Sequence, residues 1–217
     1  MNTYDSIIPQ FVSTDEWREP MMKPHLDGDK VIATNGHIMI IVPVKKLSKL
    51  YHPSAGYPKY KEVLPREDKL FPSPLRISVE KMRAVLSEVP KVPVKIDCSI
   101  CEGNGYFIVK NDLDVLDSKS CEYCDGEGDV DSKELHYDWV HHKIKIGEGY
   151  FNPDYIEVIL NVAEINDTKF LNLRNSDETK ANQIEFDDIL ILIMPVRCRN
   201  YENKIEVENP HEVPYEV

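Results

Sequence analysis

No apolar run in this chain approaches the roughly 18 residues that a membrane-spanning helix needs, so no spanning segment is expected. Positive charge is in short supply: 26 basic residues against 38 acidic ones leave a formal charge of −12. That balance argues against a general nucleic-acid coat or a basic membrane-surface protein, while leaving room for DNA contact through a local basic patch. The start, Met1-Asn2-Thr3-Tyr4-Asp5, has neither a basic nor an apolar stretch, so no secretory leader is expected and the chain is placed in a reducing, cytoplasmic compartment. A phosphate-binding Gly-x-x-x-x-Gly-Lys loop, a nucleophile elbow and a zincin helix are all missing, and with them the sequence basis for an enzyme. Glycine is sparse, with nine residues in 217, and cysteine sparser, with five. In a reducing compartment five cysteines indicate metal or free thiols and not a disulfide framework.

Four of the cysteines and four of the glycines fall between Asp97 and Glu134. The same stretch holds eleven acids against Lys110, Lys119 and Lys133, so eight of the twelve net negative charges are concentrated there. Cys98-Ser99-Ile100-Cys101-Glu102-Gly103-Asn104-Gly105 is one copy of Cys-x-x-Cys-x-Gly-x-Gly, and Cys121-Glu122-Tyr123-Cys124-Asp125-Gly126-Glu127-Gly128 is a second. Two residues between cysteines let both sulfurs reach one tetrahedral ion at about 2.3 Å each. The glycines allow the chain to turn with positive φ and leave room for N–H groups to point at sulfur. Cys98, Cys101, Cys121 and Cys124 are therefore the expected ligands of one structural zinc, a closed site with no open catalytic position.

Around that module the pattern is α+β. Thr3 to Val12 reads as a short strand, Ser13-Thr14-Asp15-Glu16 as a helix start cut off by Pro20 and Pro24, and His25 to Lys30 as a tight turn. Val31–Thr34 and Ile38–Val42 read as strands around the hairpin signal Asn35-Gly36, and the unbroken apolar run implies burial on both faces. Five prolines between 51 and 76 mark a long loop. Ser78 caps an amphipathic helix that ends at Pro90, and Asn152-Pro153 opens a second with Tyr155, Ile156, Ile159, Leu160 and Ala163 on one stripe. Tyr137–Ile146, Lys169–Leu173, Gln183–Phe186 and Ile189–Met194 read as strands, giving seven to nine in all with those flanking the cysteines. The expected organisation is 1–96 as the first part of one domain, 97–134 as an inserted zinc module, 135–200 as the second part, and 201–217 as an acidic, peripheral tail.

Two resemblances bear on these elements. The octapeptides are similar to the zinc repeats of DnaJ-type co-chaperones; that resemblance implies the metal-site geometry, whereas the His-Pro-Asp tripeptide tied to chaperone partnering is missing. Outside the module, Val31-Ile32-Ala33-Thr34-Asn35-Gly36-His37, Gly149 to Leu160, and Ile191-Leu192-Ile193-Met194-Pro195-Val196-Arg197 resemble, in order, a hairpin, a helix entry and a closing strand of the bacterial DNA polymerase sliding clamp, the β subunit. A fourth segment, Tyr57 to Pro65, is similar to a clamp piece that starts the next domain. The resemblance implies one clamp-like domain, two helices packed on antiparallel sheet, with the zinc module inserted. It does not carry over the encircling of DNA, since the helix from Asn152 contains Asp154, Glu157 and Glu164 and no basic residue.

Among other candidates, His141-His142 with His136 nearby has metal-ligand chemistry, but a strand pair with one ring in and one out is the simpler role. Asp187-Asp188 reads as a polar turn and His37 as a turn histidine; Arg197 and Arg199 flank Cys198 with charge of the kind that activates a thiol, but an incidental thiol is the simpler role. Lys45, Lys46 and Lys49 form the best local patch for DNA. Three functions remain open. The first is a non-enzymatic, clamp-like accessory protein of DNA replication or repair, of phage or mobile-element type, docking a protein partner through sheet edges or an apolar groove near Met194-Pro195-Val196. The second is a zinc-dependent interaction or chaperone-like module that holds extended peptide. The third is a metal-dependent enzyme.

Overall fold

The computed structural model describes residues 3–64, 74–110, 116–174, 179–197 and, for the backbone alone, 204–206. In chain order its elements begin with α1 (Tyr4–Ile7), β1 (His25–Asp27), β2 (Lys30–Thr34), β3 (Ile38–Pro43), β4 (Leu75–Ser78) and α2 (Val79–Ser87). There follow β5 (Lys91–Asp97), β6 (Tyr106–Lys110), β7 (Leu116–Ser120), β8 (Asp129–Tyr137), β9 (Lys143–Ile146) and β10 (Gly149–Phe151). The chain continues with α3 (Pro153–Ile165), β11 (Phe170–Arg174), β12 (Asn182–Phe186), β13 (Ile189–Ile193) and β14 (Lys204–Glu206). Two compact units result, one made of Met1–Val89 with Trp139–Val217 and the other of Pro90–Asp138. The α+β class expected from the pattern is the class observed.

The larger unit is organised by a seven-stranded sheet in the order β1-β2-β3-β13-β12-β11-β4, antiparallel at every pairing. The register aligns Leu173 with Ile184, Ile184 with Ile191, Ile191 with Ile40 and Ile40 with Ala33, which puts one apolar row along one face. That face shares a core with Met82 of α2, Ile156 and Ile159 of α3, and Ile146 and Phe151 of the small β10-β9-β14 sheet. The opposite face carries Ile32, Met39, Ile41 and Leu192, and these are covered by Tyr57, Tyr60 and Leu64. All six residues of β3 are therefore buried, as its uninterrupted apolar run requires.

Local chemistry sets the element ends. Asn35 Oδ1 accepts the N–H groups of His37 and Ile38 at 2.9 and 3.0 Å, while Gly36 takes φ +90°. The Ser78 hydroxyl accepts the N–H of Lys81 at 3.3 Å, and Asn152 Oδ1 accepts that of Asp154 at 2.8 Å, capping α2 and α3 where expected.

Three expectations need correction. Thr3 to Val12 is helical: α1 runs into a 3-10 turn over Ile8–Phe11. Tyr4, Ile7, Ile8 and Phe11 are all buried and lie at i, i+3, i+4 and i+7, the helical period, which outweighs their alternation. Tyr137–Ile146 is not one strand, because a turn at 138–142 separates β8 from β9. His25–Lys30 contributes the ends of β1 and β2 around Gly28 and is not a turn alone. The strands number fourteen among the described residues, shorter and more numerous than the pattern implied. Cys198 and, apart from the β14 backbone, the tail lie outside the described residues.

Asp5 ties the amino-terminal helix to the 44–51 loop. Its carboxylate, 5% exposed, accepts from Ser48 N and Oγ at 2.8 and 2.7 Å, Lys49 N at 3.2 Å and the Tyr51 hydroxyl at 3.1 Å. Burial opposes the charge, yet the four donors outweigh it and hold Asp5 below its ordinary value. A depressed carboxylate stabilises the fold fully above its unfolded pKa near 3.9 and loses that contribution as pH falls through the lower folded value. Asp5→Ala should cost about 1–3 kcal/mol at pH 7, the cost of stranding buried donors. In urea titrations the gap between the two chains should narrow below about pH 4; a gap independent of pH would contradict the account.

Candidate metal centre

In the unit Pro90–Asp138, β5 pairs with β8 and β6 with β7, both antiparallel. The first octapeptide links β5 to β6 and the second links β7 to β8. The two are bonded to each other reciprocally. Cys98 N donates to Gly128 O and Cys121 N to Gly105 O, each at 2.8 Å. Within each copy the same bonds recur: Gly103 N to Cys98 O at 3.2 Å and Gly126 N to Cys121 O at 3.0 Å. Gly105 N points at the Cys101 sulfur at 3.2 Å, and Gly128 N at the Cys124 sulfur at 3.3 Å. The glycine requirement is steric as well as conformational. Gly105 and Gly128 have φ of +76° and +87°, and a Cβ on either would collide with a carbonyl of the opposite copy, Gly126 O and Gly103 O respectively.

This interlock brings all four sulfurs within 4.8 Å of one another, with Cys98 to Cys121 at 3.9 Å and Cys101 to Cys124 at 3.8 Å. A tetrahedron of about 2.3 Å zinc–sulfur bonds has edges of about 3.8 Å, so the donors already stand at coordinating separation. A disulfide needs about 2.05 Å, and all four thiols are free. Every sulfur is buried, and the four cysteines with Val130 against them form the cluster around which the unit is built. Burial opposes ionisation of Cys98, but N–H groups of Cys101 and Ile100 aimed at its sulfur bring the thiol down to about 7. Burial instead pushes Cys101 up to about 11, with the Gly105 N–H opposing and the neighbouring sulfurs adding. Metal binding requires the thiolate form, and the N–H groups around Cys98 favour it.

The other nominated residues separate. His141 and His142 lie in the turn between β8 and β9, not in a strand, and join no metal-ligating group among the described residues. His37 stands beside the hairpin glycine and stacks on Tyr155 with ring centroids 6.4 Å apart. Asp187-Asp188 is the turn between β12 and β13, but Asp188 also binds Lys45 at 2.6 Å and Lys46 at 3.0 Å. Those two lysines, Lys45 first, hold its carboxyl down at about 2. Two of the three patch lysines are thereby partly neutralised, while Lys49 gives its N–H to Asp5. Sequence gave no sign of the Asp188 pairing, which follows from β3 and β13 lying in register, Ile41 opposite Leu190. On the helices, Arg83 is held by Glu164 and the Leu160 carbonyl, each at 3.2 Å.

The three segments that resemble the clamp meet in space. Met194 N donates to His37 O at 2.8 Å, Val196 N to Tyr150 O at 2.6 Å, and Asn35 Nδ2 to the Tyr155 hydroxyl at 3.3 Å. Beside them lies a cleft of about 180 Å³ whose walls include Met21, Met39, Leu192, Met194, Pro58 and Tyr60. Tyr60 is fixed there by its hydroxyl bond to Asp27 at 2.7 Å.

No family model matches the chain, and no curated protein does. Among solved structures, the chain is similar to the DnaN sliding clamp (DNA polymerase III subunit beta) of Bartonella birtlesii bound to griselimycin. Identity there is 15% and the TM-score 0.48, over 88% of this chain and 62% of that one. It is similar to the DNA polymerase III beta subunit of Thermotoga maritima at 16% identity and TM-score 0.48, over 89% and 63%. For the Helicobacter pylori beta clamp bound to a DNA ligase peptide the values are 12%, 0.47, 88% and 62%. The chain thus spans less than two thirds of the length of these structures.

Gly128→Ala should destabilise the Pro90–Asp138 unit by at least about 2 kcal/mol, from left-handed backbone strain plus the collision with Gly103 O. The readout is amide exchange: β8 should lose protection while β3 and β13 keep theirs. Retained protection in β8 would show that the glycine cradle tolerates a side chain.

Proposed function

We propose that the chain is a non-enzymatic, DNA-clamp-related accessory protein of replication or repair, acting in the cytoplasm, with one structural zinc held by Cys98, Cys101, Cys121 and Cys124. The observation that carries the clamp reading is the convergence of the three resembling segments, which are far apart in sequence and hydrogen-bonded to one another in the fold. The zinc reading rests on four buried sulfurs at coordinating separation. Zinc here closes a fold and supplies no open position for substrate. Partner docking is assigned to the methionine-lined cleft beside Met194, since unbranched thioether side chains adapt to varied apolar surfaces. DNA contact falls to Lys45, Lys46 and Lys49, because α3 has no basic residue and α2 balances Lys81 against Glu80 and gives Arg83 to Glu164.

Two measurements test this. Purified protein should carry one zinc per chain; chelation should unfold Pro90–Asp138 and leave the β3–β13 pairing protected from exchange. Absence of metal from material purified under reducing conditions would sink the zinc reading. For DNA, anisotropy with a labelled duplex should give weak binding with a log–log salt slope no steeper than about −3, the value for three phosphate contacts. Lys45→Glu with Lys46→Glu should abolish that binding, and Asp188→Asn, which releases both lysines, should strengthen it. Binding indifferent to all three changes would remove DNA from the assignment.

A further inference from the structure

Within Pro90–Asp138, β6 is exposed along its length. Tyr106, Phe107, Ile108 and Val109 leave 50, 37, 66 and 40% of their surface open, and Leu116, opposite Lys110, leaves 65%. The pairing register puts Tyr106, Ile108 and Leu116 on one face. Among the described residues the β6–β7 sheet has two strands, so β6 has a single strand neighbour there. Natural edges are blunted by proline, bulges or charge. The other strands of the unit follow that rule. β5 has Pro93 and a register break between Pro93 and Lys95; β7 carries Asp117 and Lys119; β8 carries Asp129, Asp131, Lys133 and Glu134. β6 alone runs four apolar residues without a guard.

Charge decides what covers it. Pro90–Asp138 holds twelve acidic residues against five lysines. Of those lysines, Lys95 is shared by Glu127, Asp129 and Asp131 at 3.5, 3.0 and 3.2 Å, and Lys119 is bound to Glu122 at 2.9 Å. A second copy would bring the same negative charge. The chain's own tail beyond Asn200, with five glutamates against Lys204, would do likewise, and nucleic acid would bring phosphate. We propose that β6 is the docking edge for a basic, extended segment of a partner protein. That segment adds a third strand on the edge of β6 away from β7, with main-chain hydrogen bonds along Tyr106–Lys110, apolar side chains beside Tyr106 and Ile108, and lysine or arginine at the remaining positions.

The proposal rests on the zinc reading only in that the ion holds the ribbon in place. The test uses the full zinc-loaded chain and three fluorescent nonapeptides: alternating Lys-Val, alternating Glu-Val, and Lys-Val with N-methyl groups on alternate residues. The first should bind, more weakly as salt rises. The other two should bind at least about tenfold more weakly, having lost charge complementarity and main-chain donors respectively. Tyr106→Ser with Ile108→Ser, both at exposed positions of β6, should weaken Lys-Val binding about tenfold with zinc content unchanged. Equal binding of either control peptide, binding undiminished by the two serines, or none of the Lys-Val peptide at millimolar concentration would overturn the proposal. Zinc analysis of the same samples keeps the questions apart: metal present without peptide binding refutes the docking edge alone, and peptide binding without metal supports it while refuting the zinc reading.

Discussion

The complete burial of β3 is the constraint on which the larger unit turns. A strand of six consecutive buried residues at the middle of a sheet needs cover on both sides. α2 and α3 supply it on one face. On the other, the proline-rich stretch before Leu64 lies against Ile32, Met39, Ile41 and Leu192, pinned by the Tyr60–Asp27 bond and by the stacking of Tyr57 on His25 at 4.5 Å. The loop covers that face incompletely, and the uncovered remainder is the methionine-lined cleft. The recess is thus a by-product of covering a sheet with a loop where a helix would have sealed it.

The smaller unit solves the opposite problem. Among the described residues it has no buried aliphatic cluster of its own; the buried side chains are the four cysteines and Tyr137, with the partly buried Val130 packed against the sulfurs. A metal ion held by those sulfurs would supply folding energy that so few buried apolar side chains do not. The reciprocal bonds between the octapeptides explain why the repeat includes glycines and not the cysteines alone: each copy forms part of the other's turn.

Legibility followed the range of the interaction. The caps Ser78 and Asn152, the Asn35-Gly36 hairpin and the cysteine tetrad are local, and each was readable from a few adjacent residues. The amino-terminal helix was missed although Tyr4, Ile7, Ile8 and Phe11 display its period, because the interleaved polar residues also fit a strand. The Asp188 pairing with Lys45 and Lys46 and the four-donor pocket around Asp5 depend on segments more than forty residues apart, and no local pattern encodes them. The charge of the lysine patch was therefore legible, and its neutralisation was not.

The Asp138 N–H donates to the Pro90 carbonyl at 2.8 Å, so the smaller unit begins and ends at one point. A segment closed in this way can be excised and its host rejoined by a joint of a few residues, or transplanted into an exposed turn elsewhere, without stretching either chain. The acidic ribbon is in that sense a cassette, and its gain or loss leaves the host sheet's strand order untouched.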